Sequence, residues 1–281
     1  MKFFRLSGRR KSIFINVIAI IISCIFLFPL YWLIISSLKP NAEIFQSPQT
    51  LFPRQIQFDA YYDQLFGPNS IIRPFLNSLI IATCSMIVSM LLGIPAAYGL
   101  ARFKMRGSKI FILTFLITQM LPATLVLTPL FLIYKGFGFL NTFLAPIFSD
   151  STIAIPFIVL ILRPYFLSLP KDLEDSAKID GCNTFSAFVR IMLPLSYPGL
   201  ITAFSFAFLF AWNDLIYAMT FINIAEMRPL TAGIYHFMDM YGTEWNKIMA
   251  YAVFLVTPVI IIFIFLQKYI VSGLTSGSVK G

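Results

Sequence analysis

Apolar residues run along this chain in long blocks separated by short polar intervals, with no alternation of period two that would suggest strands. The blocks cover about residues 13–38, 75–100, 110–133, 152–166, 198–222 and 248–270. A helix rises about 1.5 Å per residue and a bilayer's hydrocarbon core is about 30 Å thick, so blocks near 20 residues are long enough to cross it. The pattern predicts an all-α, polytopic membrane protein with six transmembrane helices. The first block follows Lys2, Arg5, Arg9, Arg10 and Lys11. It is longer than the roughly 7–15-residue core of a signal peptide, so it reads as a retained first span. The layout is then a terminal segment at 1–12, a membrane domain at 13–271 that carries a polar loop at 168–197, and a tail at 272–281.

The interval 39–74 is polar and rich in proline, and within it Phe58, Tyr61, Tyr62, Leu65 and Phe66 recur at helical spacing. That spacing predicts a short helix lying at the membrane interface. Pro95, Pro122, Pro129, Pro156 and Pro258 fall inside predicted spans, where they are either simple kinks or hinges.

The loop at 168–197 is the one long polar interruption in the C-terminal half, and it predicts two short helices joined at a glycine. Pro170, Lys171, Asp172 and Glu174 suit a helix start. Leu173, Ser176 and Ala177 share a face, and Gly181 is the natural stop. The second helix starts at Asn183 or Thr184, puts Phe185, Phe188, Val189 and Met192 on one side, and ends at Pro194. Such a small-faced knob is either a plain connector or a surface that docks into a groove on another protein.

Composition agrees with the membrane reading, since 58% of residues are hydrophobic and only 12% charged. A soluble domain carries about a quarter charged residues. The net charge of +9 is a matter of topology. Fifteen Lys and Arg lie in the two termini and in the loops after the second and fourth spans, against six on the opposite side. The positive-inside rule therefore places both termini and the knob in the cytoplasm of a multi-pass cell-membrane protein. The charge is no argument for a nucleic acid or an anionic substrate. Cys24, Cys84 and Cys182 have no metal-like spacing.

No phosphate-binding loop, metalloprotease helix or nucleophile elbow is present, and the lone His236 falls in an outside loop, so no catalytic residues and no metal site are expected. Asp214 is the one acid expected within a span, toward its outer end. An ionisable group at that depth must pair or face water, so Trp212, Asn213 and Asp214 either line a pathway or mark a helix break beside an interfacial tryptophan. In the outside loop at 224–247, Tyr241, Gly242, Thr243, Glu244 and Trp245 form a tight aromatic turn suited to a partner, a sugar or the membrane surface.

The loop at 168–197 resembles the EAA motif of ABC importer permeases, with Asp175, Ser176, Ala177, Asp180, Gly181, Ile191, Leu193 and Pro194 at its spacing. Asp175 for Glu, Ser176 for Ala and Cys182 for Ala are departures, conservative in size or charge. Asn77-Ser78-Leu79, the run 96–103, Trp212-Asn213-Asp214, the turn 241–245 and the tail 273–281 extend the resemblance to the carbohydrate-uptake branch, in its shorter MalG-type form. The resemblance implies a type I importer (MetI-like) fold and a sugar or oligosaccharide substrate. It implies a second related permease, a homodimeric cytoplasmic ATPase and an extracellular solute-binding protein as partners. The chain itself would then hold no cofactor, ATP and magnesium being bound by the ATPase. It also implies that Glu174, Asp175, Ser176, Ala177, Asp180 and Gly181 form the ATPase-docking motif, and that residues 241–245 touch the binding protein. Three other readings stay open: an importer of polyols or glycerol-phosphate, an autonomous proton-coupled carrier using Asp214, and an intramembrane hydrolase. The last lacks a histidine in any predicted span.

Overall fold

The computed structural model describes residues 8–68, 70–239 and 242–275. The first apolar block forms α1 (Gly8–Ser37), followed by the turn α2 (Asn41–Ile44) and α3 (Asp59–Phe66). The second block is α4 (Ile72–Arg102), the third is split into α5 (Ser108–Met120) and α6 (Ala123–Phe137), and the fourth is α7 (Leu144–Ser168). The polar loop folds as α8 (Asp172–Ile179), α9 (Thr184–Ala187), a π-helical turn (Phe188–Met192) and α10 (Leu193–Leu195). Next come α11 (Tyr197–Trp212), α12 (Ile216–Phe221) and α13 (Leu230–Gly233). An antiparallel pairing of β1 (Met238–Asp239) with β2 (Gly242–Thr243) then leads into α14 (Trp245–Thr275). Among the described residues four unbroken helices are long and apolar enough to cross a membrane, and two bent pairs bring the number to six when each counts as one span.

Three boundaries differ from the hydropathy reading. The third span bends by 99° between Met120 and Ala123. Pro122 offers no N–H, and it holds Leu121 extended at ψ 128°. Pro95, Pro129, Pro156 and Pro258, by contrast, sit inside continuous helices. The block at 198–222 is not one helix, because α11 stops at Trp212 and α12 is separate. Most consequential is the fourth span, which starts at Leu144 rather than near 152 and so takes Asp150 into a helix. Asp214 is therefore not the one acid among the spans, and Asp150 is not in an outside loop.

Two compact units divide the chain, one running through Ser70 with Ile234–Val256 added, the other Ile71–Gly233 with the residues from Thr257 onward. In the first unit α1 leaves its apolar surface uncovered from Ser12 to Pro29. The proline-rich interval after it is held by a small polar knot. The buried Glu43 carboxylate accepts the Thr50 hydroxyl at 2.7 Å and the Arg54 N–H at 3.0 Å. The buried Lys39 donates to the Thr50 carbonyl and lies over the Trp32 ring. The Thr50 hydrogen bond, helped by the Arg54 N–H and the charges of Lys39 and Arg54, holds the Glu43 carboxyl below its usual range. On α3 the buried side is Ala60 and Gln64, with Gln64 donating to the Lys247 carbonyl at 2.5 Å. Phe58, Tyr62 and Phe66 are exposed on one stripe, while Tyr61 shares a 2.6 Å hydrogen bond with Ser37. Lys247 pairs with Asp63 and Glu244, each at 3.1 Å.

In the second unit α4, α7 and α11 pack together around Met90, Ile158, Val159, Leu162, Phe166 and Met192. Between helices in lipid there is no hydrophobic driving force, so close backbone approach over small residues matters. Ala97, Ala154, Ala203 and Ala207 lie buried at these contacts. At Gly93 a Cβ would come within 2.7 Å of Ile158, and at Gly199 within 2.8 Å of the Tyr165 ring. Glycine is needed at both by the neighbour's position.

Candidate functional site

The polar loop presents a capped helix at the end of the α4–α7 pair. Asp172, Glu174 and Asp175 occupy the first turn of α8, where acids meet the positive end of the helix dipole. Its C-terminus closes on Gly181 at φ +86°. Gly181 N–H donates to the Lys178 carbonyl at 3.1 Å, and Cys182 N–H reaches back to the Ala177 carbonyl at 2.9 Å. These are the paired bonds of a Schellman cap, which needs the left-handed conformation that glycine adopts at low cost. Asn183 then caps α9 by accepting the Ser186 N–H at 2.8 Å. The predicted stop and restart are thus present, and nothing stands within 4 Å of a Cβ added at Gly181, so the surface over the cap is open.

The faces are arranged differently from the periodic reading. Leu173 and Ser176 point outward and Ala177 is buried, so the three do not form one apolar face. In the second helix, where a π-helical turn covers Phe188–Met192, the expected stripe is split into a buried and an exposed edge. Phe188 and Met192 enter the core, where Phe188 packs on Tyr98 with ring centres 4.6 Å apart. Phe185 (74% exposed) and Val189 are left outside, beside Ile179 at 86%. Pro194 does not end the helix, which runs to Leu195 before bending by 82° into α11. Pro95, Tyr98, Phe103, Thr184, Phe185 and Phe188 line an apolar notch of about 330 Å³ beneath the knob.

Among the acids of the motif, Asp175 and Asp180 face solvent, and Asp175 pairs loosely with Lys178 at 3.4 Å. Glu174 turns inward. Its Oε1 lies 2.7 Å from Arg102 Nε at the end of α4, with the two side chains 12% and 4% exposed. The same guanidinium donates to the Leu169 carbonyl at 2.9 Å.

Trp212, Asn213 and Asp214 form the break after α11. Trp212 is buried edge-on to Phe75 and stacked on Phe208. Asn213 donates to the Leu209 carbonyl at 2.8 Å, and the Asp214 carboxylate accepts the N–H groups of Tyr217 and Ala218 at 3.1 and 2.9 Å, capping α12. Sequence reasoning missed Asp150, which is 3% exposed within α7 and close enough to Asp214 to feel its charge. Ser149 and Ser151 flank it, the first bonded to Tyr134 and the second to the Ser85 carbonyl. An acid between serines followed by an unbroken apolar run was the available signal. The uninterrupted apolar stretch begins only at 152, which leaves Asp150 just outside the predicted span.

Of the predicted turn, Tyr241 lies outside the described residues. Gly242 and Thr243 form β2, Glu244 N–H donates to the Phe237 carbonyl, and the Trp245 N–H donates to Asn41 Oδ1 at 3.1 Å. Trp245 also meets Phe45 edge-on. The tail from Ser276 onward is likewise outside the described residues.

The described residues thus hold up to six spans, two of them bent, and a capped polar knob. Residues 89–276 match the family described as the binding-protein-dependent transport system inner membrane component, and the chain belongs to that family. It is a multi-pass permease of the ABC importer class. It is 35% identical to a probable ABC transporter permease protein, YurM, of Bacillus subtilis over 90% of this chain and 84% of that one. With the diacetylchitobiose uptake system permease DasC of Streptomyces coelicolor it shares 32%, covering 95% and 96% of the two chains. With the trehalose transport system permease SugB of Mycobacterium tuberculosis it also shares 32%, covering 98% and 100%. Among solved structures, a bacterial ABC transporter for import of the acidic polysaccharide alginate has the same fold, with a TM-score of 0.79 at 23% identity over 96% of this chain and 99% of that one.

Proposed function

We propose that this chain is one of two related permeases in an ATP-driven importer of saccharides. Its partner permease, a pair of cytoplasmic ATPases and an extracellular solute-binding protein complete the assembly. The observation that carries the reading is the knob at α8 and α9, an ordered, capped, solvent-facing surface whose length and sequence fit a docking element. Asp175, Ser176, Ala177, Asp180 and Gly181 hold the ATPase, with Ala177 and Gly181 supplying the cap and Asp175 and Asp180 the exposed charge. ATP and magnesium are bound in the ATPase. The charge asymmetry supports a cytoplasmic side for the knob and both termini. The uncovered apolar surface of α1 suits lipid and the second permease.

Support for a saccharide comes from relatives named for diacetylchitobiose, arabinooligosaccharides and trehalose, spread over nearly the full chain. Residues 242–245 are tied to Asn41 and Phe45, and this ordered surface supports a contact with the binding protein on the outer side. An autonomous carrier built on Asp214 has less to work with, because both carboxylate oxygens already accept backbone N–H groups. Uptake of radiolabelled di- and oligosaccharides by cells with and without the chain tests the substrate class. Loss of uptake for one saccharide set on deletion, restored by the chain, is the expected result; unchanged uptake of every saccharide together with lost uptake of a polyol or glycerol-phosphate would overturn it.

A further inference from the structure

Glu174 belongs to the motif by sequence, yet it is withdrawn from the surface that the motif presents. Its carboxylate and the Arg102 guanidinium sit 2.7 Å apart with almost no exposure, whereas the neighbouring pair Lys178 and Asp175 is 3.4 Å apart and open to water. Water weakens and salt screens the exposed pair; the buried one is shielded from both, and its closest atoms meet as opposite charges rather than as an aligned hydrogen bond. The guanidinium also bonds the Leu169 carbonyl, so one side chain at the end of α4 grips both the entry to α8 and its first turn. Arg163 on α7 crosses the other way, Nε donating to the Leu100 carbonyl at 3.3 Å. α8 also packs on α9 and the π-helical turn, and Glu174 lies against Tyr98 of α4, but the Arg102 contacts are the charged ones that tie α8 to the end of α4.

We infer that Arg102 and Glu174 are positioning residues: a buried ionic latch that makes α8 move as one body with the cytoplasmic end of α4. A push on α8 then reaches the α4, α7 and α11 core directly and is not lost in bending the loop. This rests on the proposed docking of an ATPase at α8 for its role in transport, but the latch itself is a property of the permease.

Two readouts separate these. Spin labels at Lys104→Cys and Lys178→Cys, both on exposed positions, report the distance from the α4 end to α8 in the full chain with its partner permease and no ATPase. The latch predicts one narrow distance in the parent, a distribution at least twice as broad in Arg102→Ala and in Glu174→Ala, and recovery of the narrow distance in the exchanged pair Arg102→Glu with Glu174→Arg. In the assembled transporter, the single variants keep the ATPase bound and hydrolysing ATP but move roughly tenfold less substrate per ATP, and the exchanged pair or Arg102→Lys recovers part of it. An unchanged distance in the single variants overturns the latch. So does an exchanged pair no better than either single variant alongside a failed Arg102→Lys rescue, or loss of ATPase binding on Glu174→Ala, which would return Glu174 to the docking face. If the distances behave as stated while no ATPase binds even the parent, the latch stands and the docking proposal fails.

Discussion

Gly181 carries the most information for a single residue. Its φ of +86° is a conformation that costs a residue bearing a Cβ about 1–2 kcal/mol, and the surface above it is empty. Gly181→Ala is therefore expected to weaken the cap without blocking the surface, and Gly181→Asp to do both. Uptake should fall modestly in the first and by more than tenfold in the second, with equal amounts of permease in the membrane. Equal, strong loss in both would assign the effect to folding. Glu43 gives a second test at this scale. Because its folded carboxyl is held below the ordinary value, its contribution is full above that value and is lost as pH falls through the lowered one. Glu43→Gln should lower the melting temperature at neutral pH, and the gap from the parent should close as the pH drops below about 4, where free carboxyls take up protons. A gap that widens in acid would contradict the sign.

At the scale of elements, close helix contact decides stability. Gly93→Leu is expected to destabilise the second unit by about 1–3 kcal/mol through overpacking, because even the first added carbon meets Ile158 at 2.7 Å. Thermal unfolding in detergent measures it, with Gly107→Ala, where no neighbour lies within 4 Å but φ is +87°, separating backbone strain from crowding. Much at this scale was legible in the sequence. The apolar blocks marked the spans, Gly181 and Asn183 marked the stop and restart of the knob, and Pro122 was visible inside the third span. What was not legible depended on long-range packing. Phe188 goes inward because Tyr98 is there to meet it while Phe185 has no such neighbour, and no local spacing reports that. Asp150 was hidden because a charge beside an apolar block reads as a boundary until the helices packed around it are known. The Arg102–Glu174 pair joins two stretches that are distant in the chain, each of which alone looks like an ordinary loop charge.

For the whole molecule, two features point to an incomplete assembly. The first helix keeps an uncovered apolar surface, and the knob holds Ile179 and Phe185 in solvent. In the proposed assembly, membrane lipid and a second permease would cover the first, and an ATPase with a groove for a short helix would cover the second. The family is established over residues 89–276, which contain the knob and both halves of the latch, while the saccharide and the partner set remain proposals with their own tests. Affinity purification of the tagged chain from native membranes, followed by mass spectrometry and comparing the parent with Gly181→Asp, tests docking at α8. The parent is expected to bring down an ATPase and a second permease, and the variant to keep the permease and lose the ATPase. A parent recovered alone, or a variant that retains the ATPase at the parent's level, would contradict it.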